Sequence, residues 1–183
     1  MNPFLKNALG AVALAIAAPS FSQASPYAGE QDGPIKALSS ADVTALRQGQ
    51  GMGLAKAAEL NGYPGPLHTL ELAEQLRLTP EQVSATRQLM DAHKARARAL
   101  GDALVAAEMA LDRLFAERSA TLSGVDEATQ QIAKLQAKLR AEHLATHLIQ
   151  TALLSGDQAQ RYAALRGYGS GGHGDRPAAG HHH

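Results

Sequence analysis

Two short stretches decide the fold: LTPEQ at residues 78–82 and LSGDQ at residues 154–158. In the first, Thr79 stands where a helix N-cap belongs, and Gln82 is spaced to reach back to the backbone of that cap. In the second, Ser155 takes the place of the threonine. A leucine precedes each cap, where a hydrophobic staple belongs. The repeat therefore predicts two helices that begin with the same capping box.

Apolar residues at alternating steps of three and four continue outward from the first stretch. They are Val83, Thr86, Met90, His93, Ala97, Leu100, Leu104, Ala107, Leu111 and Leu114. A second stripe consists of Ala128, Ile132, Leu135, Leu139, Leu144, Leu148 and Ile149. We expect helices over 80–118 and 125–152, joined at 119–124 into a long antiparallel hairpin. Shorter helices are expected at 67–77 and 156–166, and Glu108 and Asp112 are expected on a solvated or ion-paired face.

Composition narrows the fold class and the function. Aromatic residues make up 4% of the chain, which disfavours a β-sandwich or barrel. No cysteine is present, which excludes disulfides, thiolate zinc sites and a cysteine nucleophile. Lys and Arg total 17 against 17 Asp and Glu, so no excess of positive charge favours a nucleic-acid partner. No Ser/His/Asp triad and no paired carboxylates stand out, so we expect that the protein is not an enzyme. The composition as a whole predicts an all-α fold.

The first 24 residues have the pattern of a secretory signal peptide. Lys6 precedes an apolar run over 8–18, and small residues at Ser22 and Ala24 suit cleavage. The run is shorter than the roughly 20 residues that span a bilayer, although an uncleaved anchor is the alternative. The pattern predicts export to the periplasm, with no membrane span in the mature chain.

The rest of the chain divides by composition into three parts. Residues 25–65 are predicted to be an N-terminal extension with short helices at 41–48 and 54–60, interrupted by a glycine hinge at 49–53. Residues 66–168 hold both repeated stretches, and 169–183 form a Gly/His-rich tail expected to be disordered. The tail histidines, His173 and His181–His183, are weak candidates for metal binding.

The repeated motif resembles that of the periplasmic LTxxQ-motif family, which includes Spy/CpxP chaperones, zinc-resistance-associated proteins and heavy-metal sensors. The resemblance covers roughly 66–168 and is carried by Leu78, Thr79, Gln82, Leu154, Ser155 and Gln158. It implies an all-α hooked hairpin that dimerises into a shallow cradle. It also implies a stress-response role in which the protein binds either metal or unfolded client proteins.

Five residues are candidate metal ligands. His143 and His147 lie four apart on one helix face, a spacing that lets two imidazoles chelate Zn, Co or Ni. The sensor members of the family have a His-x-x-x-Met pair here, so His147 replaces the methionine. His68, with Glu71 one turn on, is a further candidate, and folding the helices back over their turns brings both regions level with His93. The alternative is a set of partly buried histidines that hydrogen-bond to their neighbours.

We therefore expect a periplasmic metal-binding stress-response protein of the heavy-metal sensor or resistance type. The alternative is an ATP-independent chaperone of the Spy/CpxP type. A homodimer is expected in both cases, because an alanine-rich hairpin buries little area per residue. Further partners would be unfolded clients or a membrane-bound signalling protein.

Overall fold

Helices provide all the regular secondary structure in residues 25–168, the part of the chain that the computed structural model describes. That range contains no strand, so the all-α prediction is confirmed. In chain order the helices are α1 (Ser40–Gln48), α2 (Lys56–Glu59), α3 (Pro66–Glu71), α4 (Pro80–Ala116), α5 (Leu122–Ala152) and α6 (Gly156–Leu165).

The two long helices, α4 and α5, lie side by side and run in opposite directions. The side-chain amide of Gln150, near the end of α5, donates to the hydroxyl of Thr86, near the start of α4, at 3.2 Å. Farther along α4, the Nε of Arg96 donates to Glu142 of α5 at 2.9 Å. The connection between the helices ends at Thr121, whose side chain caps α5. As a result α5 begins at Leu122, earlier than the predicted start at 125.

The two capping boxes form as predicted, and they also bind each other. Thr79 accepts from the backbone N–H of Gln82, and Ser155 accepts from that of Gln158, both at 3.2 Å. The Gln82 side chain donates to the amide oxygen of Gln158 at 2.8 Å, and Gln158 donates back at 3.0 Å. Each glutamine also donates to a backbone carbonyl of the other segment, at Leu153 and Leu76 respectively. The repeat thus ties the start of α4 to the start of α6.

The core lies between α1, α4 and α5. Its buried apolar residues are Ile35, Leu46, Ala97, Leu104, Val105, Ile132, Leu135 and Leu139. At Gly101 a Cβ would stand 2.7 Å from the carbonyl carbon of Leu46, so the backbone of α1 lies directly on α4. The segment predicted as an extension, 25–65, therefore supplies part of the same core as the motif region.

The second half of α5 buries a different face from the predicted one. The apolar stripe places three side chains inward there: Leu144, Leu148 and Ile149. In the structure Leu148 is 56% exposed and Ile149 is 48% exposed. The buried side chains are polar instead: His143, Thr146 and Gln150. The prediction is wrong for Leu148 and Ile149 because polar groups on α4, His93 and Thr86, supply hydrogen-bond partners to Thr146 and Gln150 of α5.

The prediction of a solvated or ion-paired Glu108 is also wrong. Glu108 is 8% exposed, and burial raises the pKa of its carboxyl. It makes no ion pair with any residue between 25 and 168. Asp112, one turn on, does pair, with Lys36 at 3.3 Å. Glu108 is therefore a carboxyl group within the core region of α4.

The helix α3 ends at Glu71, well before the predicted end at residue 77. Beyond it, the backbone carbonyls of Gln75 and Leu76 accept hydrogen bonds from side chains of α6. Arg77 then takes a positive φ of 51°, which ends any helical path before the capping box. The stretch keeps local backbone bonds, such as that from the N–H of Leu76 to the carbonyl of Leu72 at 2.8 Å, and side chains of α6 add tertiary hydrogen bonds to them.

Residues 25–31 belong to a separate unit and form a turn in which the N–H of Ala28 donates to the carbonyl of Ser25 at 2.9 Å. The predicted signal peptide, 1–24, and tail, 169–183, lie outside the described residues. Among the helices of the described range, none combines the length and apolar character needed to cross a membrane.

Candidate metal-binding cavity

A cavity of about 770 Å³ is lined by residues of α2, α3, α4 and α5. The glycine-rich segment 49–53, predicted as a hinge, contributes another wall, and Arg166 and Tyr168 close the end beyond α6. Four histidines that the sequence singles out line this one space: His68, His93, His143 and His147. Glu71, the fifth candidate, is exposed and lies outside the lining.

His147 is held by one ring nitrogen, so its other nitrogen remains available. Its Nδ1 lies 2.8 Å from the carbonyl oxygen of Tyr63 and 3.6 Å from a carboxylate oxygen of Glu59. Both neighbours only accept, so Nδ1 carries the proton and donates it to Tyr63. In the neutral form of the ring, the lone pair is then on Nε2. This edge of the ring faces Gly65. A Cβ atom added to Gly65 would lie 3.1 Å from Nε2 of His147.

His93 has the same arrangement on the opposite helix. Its Nδ1 lies 3.1 Å from a carboxylate oxygen of Glu142 and 2.9 Å from the hydroxyl of Thr146. Burial alone would raise the pKa of Glu142, but hydrogen bonds from Arg96 and His93 outweigh burial and lower that pKa. Glu142 therefore stays ionised and accepts from Nδ1 of His93. The Nε2 of His93 accepts no hydrogen bond from the described residues.

His143 packs against His93 and is 4% exposed. The two rings meet edge to face, with centroids 4.7 Å apart and planes at 73°. Burial, followed by the charge of His93, lowers the pKa of His143 from 6.5 to about 4. Its ring is thus neutral at pH 7. Its buried Nε2 has no hydrogen-bond partner within the described part of the chain.

His68 lies on α3, where Pro66 occupies the first turn and sets the start of the helix. Its Nδ1 lies 2.7 Å from a carboxylate oxygen of Glu71, one turn on. Because the carboxylate only accepts, Nδ1 of His68 donates, and in the neutral form of the ring Nε2 again carries the lone pair. Glu71 is therefore placed to orient His68, and its direct ligation of a metal stays a prediction.

Three histidines thus share an arrangement that is usual for metal ligands: an acceptor holds Nδ1, and Nε2 is left for the metal. Neutral imidazole suits Zn, Co and Ni, so the donor chemistry fits these ions. Within residues 25–168, however, no three His, Asp or Glu side chains are grouped so that they could hold one ion. Binding one ion through several of these histidines would therefore require side chains to move into the cavity.

The sequence did not identify the groups that support His147. Tyr162, which is fully buried, donates its hydroxyl to Glu59 at 2.6 Å, and Arg166 lies 3.5 Å from the same carboxylate. Burial is the main cause of a raised pKa for Tyr162, so its phenol keeps its proton. Glu59 lies in the segment outside the repeated motif, where no periodic pattern marks it. In the sequence, the signal for these supporting groups was the presence of Tyr162 and Arg166 near the end of α6.

In comparisons with protein-family models, curated proteins and solved structures, the chain matches none.

Proposed function

We propose that this protein is a periplasmic, metal-binding stress-response protein of the heavy-metal sensor or resistance type. It binds Zn, Co or Ni through the Nε2 atoms of His147, His93 and His68, with His143 as a further ligand. The observation that carries the proposal is that three histidines lining one cavity each have Nδ1 close to a hydrogen-bond acceptor. That second layer of contacts orients metal-binding histidines and raises their basicity.

The position of the ligands links metal binding to the arrangement of helices. His68 is on α3, His93 on α4, and His147 on α5. An ion held by all three joins three elements that are otherwise connected through turns and packing. Because the ion binds the assembled cavity and not the unfolded chain, it stabilises that arrangement by RT ln(1 + [L]/Kd). A membrane-bound signalling partner would detect the arrangement rather than the ion.

The experiment is a titration of the purified chain with cobalt, followed by its absorption spectrum and by calorimetry. All variants carry serine in place of His173 and His181–His183, so the tail cannot contribute. We expect about one cobalt ion per chain, and a loss of affinity of at least tenfold in His143→Ala/His147→Ala. Circular dichroism checks that the double variant is folded.

The control is the tail itself. Restoring His173 alone should add no site of comparable affinity, because its sequence neighbours, Gly172 and Gly174, have no side chains that could act as further ligands. Failure of the tail-substituted chain to bind cobalt, zinc or nickel would contradict the proposal.

A second candidate function, the ATP-independent chaperone, is favoured by one specific observation. Leu148 and Ile149 lie together on α5 and are 56% and 48% exposed. Such apolar surface would bind either an unfolded client or a second copy of this chain. The variant Leu148→Ser/Ile149→Ser should then be less able to keep reduced lysozyme from aggregating. Sedimentation equilibrium on the same variant tests the homodimer, because loss of the dimer would assign this surface to self-association.

A further inference from the structure

We propose that the cavity binds a small amphipathic carboxylate, an organic anion with an apolar body and one charged end. The inference requires no bound metal, so it goes beyond the function proposed above and stands or falls separately from it. Its basis is the size of the cavity, the apolar side chains that line it, and the basic side chains of its wall that have no carboxylate partner among the described residues.

The cavity is large enough to enclose an organic molecule. Its volume is about 770 Å³, and pockets that bind organic ligands measure roughly 300–1,000 Å³. A water molecule occupies roughly 30 Å³ of liquid volume, so an inorganic anion with its nearest waters would fill only part of this space. The size therefore favours an organic ligand over an inorganic ion.

Apolar side chains from three parts of the chain line the cavity while remaining open to solvent. Met52 in the glycine-rich segment is 44% exposed, Leu60 at the end of α2 is 51% exposed, and Leu67 of α3 is 47% exposed. A ligand with an apolar body would cover this surface, and removing apolar surface from water is favourable in proportion to the area covered. The lining therefore favours a ligand that is more than a charged group.

The charged side chains of the lining that lack an ion-pair partner are all basic. Lys56, Lys94 and Arg98 line the cavity, and no carboxylate of residues 25–168 forms an ion pair with them. Among the described lining residues, Glu59 is the one carboxylate, and it lies 3.5 Å from Arg166. An anionic ligand thus gains basic partners without meeting an unpaired carboxylate, whereas a cationic ligand would gain none.

Arg98 is the basic side chain best placed to hold the carboxylate of the ligand. Its Nε donates to the backbone carbonyl of Gln48 at 3.4 Å. A Cβ atom added to Gly49 would lie 3.2 Å from Cγ of Arg98, so the aliphatic part of this side chain packs on the glycine-rich segment. Neither Nη atom donates to an acceptor within residues 25–168. A guanidinium fixed in this way offers a carboxylate two parallel N–H donors.

The test is a calorimetric titration of the full chain with octanoate, in the presence of EDTA so that no metal ion contributes. We expect about one octanoate to bind per chain. Two comparison ligands each lack one half of the proposed chemistry: acetate has the charge without the apolar body, and octan-1-ol has the body without the charge. Each should bind at least tenfold more weakly than octanoate.

A charge variant tests the basic wall. Lys94→Gln/Arg98→Gln should weaken octanoate binding about tenfold, because it removes two ion-pair partners, and should leave octan-1-ol binding unchanged. Loss of the fold would weaken both ligands, so this pattern identifies the charge. The matched control, Lys134→Gln/Lys138→Gln, removes two exposed basic side chains at the same spacing on α5, outside the lining, and should change neither affinity.

An apolar variant tests the position of the body. Leu60→Ser/Leu67→Ser should weaken the binding of both octanoate and octan-1-ol, with circular dichroism to check that the variant is folded. The matched control, Met109→Ser/Phe115→Ser, removes two exposed apolar side chains of α4 that lie outside the lining. It should leave both affinities unchanged.

Four results would overturn the inference. Octan-1-ol binding as tightly as octanoate would exclude selection of an anion, and acetate binding as tightly would exclude a role for the apolar body. Octanoate binding that Leu60→Ser/Leu67→Ser does not weaken would place the ligand outside the cavity. Failure of octanoate to bind would overturn the inference outright, while the cobalt titration would still decide the metal-binding function.

Discussion

Replacing Gly101 by alanine adds one carbon atom where α1 and α4 lie closest. The new Cβ would stand 2.7 Å from the carbonyl carbon of Leu46 and 3.2 Å from its Cα. These atoms belong to the backbone of α1, so rotation of a side chain cannot relieve the contact. The helix α1 must therefore move away from α4, and the core around Leu46 must open.

Opposing effects set the size of the change in the free energy of unfolding. Alanine favours a helix interior by about 1 kcal/mol relative to glycine. Overpacking costs about 1–3 kcal/mol. Displacement of α1 also exposes part of Leu46, now 5% exposed, whose full burial contributes about 1.5–3 kcal/mol. We expect a net loss of about 2 kcal/mol.

Urea unfolding followed by circular dichroism measures this loss as a lower midpoint at an unchanged slope. The control is Gly156→Ala at the start of α6, where a new Cβ would have no atom within 4 Å. Its stability should change by less than about 0.5 kcal/mol. If Gly101→Ala instead stabilises the protein by about 1 kcal/mol, helix propensity alone decides the outcome. The packing of α1 on α4 described above would then be refuted.

Three further predictions concern polar groups that are buried or half-buried. Because the pKa of His143 is lowered to about 4, the unfolded chain binds the proton first as pH falls. Stability should therefore decline by up to about 3 kcal/mol between pH 6.5 and 4, and urea midpoints of His143→Leu should lack this decline. Gln82→Leu and Gln158→Leu should show a coupling of about 1 kcal/mol in a double-mutant cycle, whereas additive losses would contradict the reciprocal hydrogen bonds. Tyr162→Phe removes the 2.6 Å donor to Glu59 and should cost about 1–3 kcal/mol in thermal unfolding; an unchanged melting temperature would contradict that contact.

Local chemistry explains why the helix starts could be predicted from sequence. A capping box depends on a hydroxyl and a glutamine three residues apart, so the pairs Thr79/Gln82 and Ser155/Gln158 suffice to identify the two helix starts. The mutual hydrogen bonds of the two glutamines could not be predicted in the same way. They depend on the distance between segments far apart in the chain, which no local spacing encodes.

The buried face of α5 was missed for a related reason. Periodicity indicates a buried face on the assumption that apolar side chains face the protein interior. It therefore predicted that Leu148 and Ile149, and not Thr146 and Gln150, would be buried. Buried polar side chains are acceptable when they find partners, and here those partners stand on another helix. Counting residues back over the turn between α4 and α5 could still place His147 near the level of His93, because the rise of both long helices is constant. The same count for His68 assumed a helix as far as residue 77, whereas α3 ends at Glu71.

Glu59 connects the cavity to the repeated motif, and under the proposed metal-binding function this contact favours a sensor over a passive store of metal. Its carboxylate accepts from Tyr162 of α6 and lies 3.6 Å from Nδ1 of His147. A metal on Nε2 of His147 would make the Nδ1 proton more acidic and strengthen its hold on the acceptors beside it. The same carboxylate that holds α6 through Tyr162 would then respond to the ion. Metal binding would thereby alter the packing of the helix that begins with the second motif, at a distance from the ligands themselves.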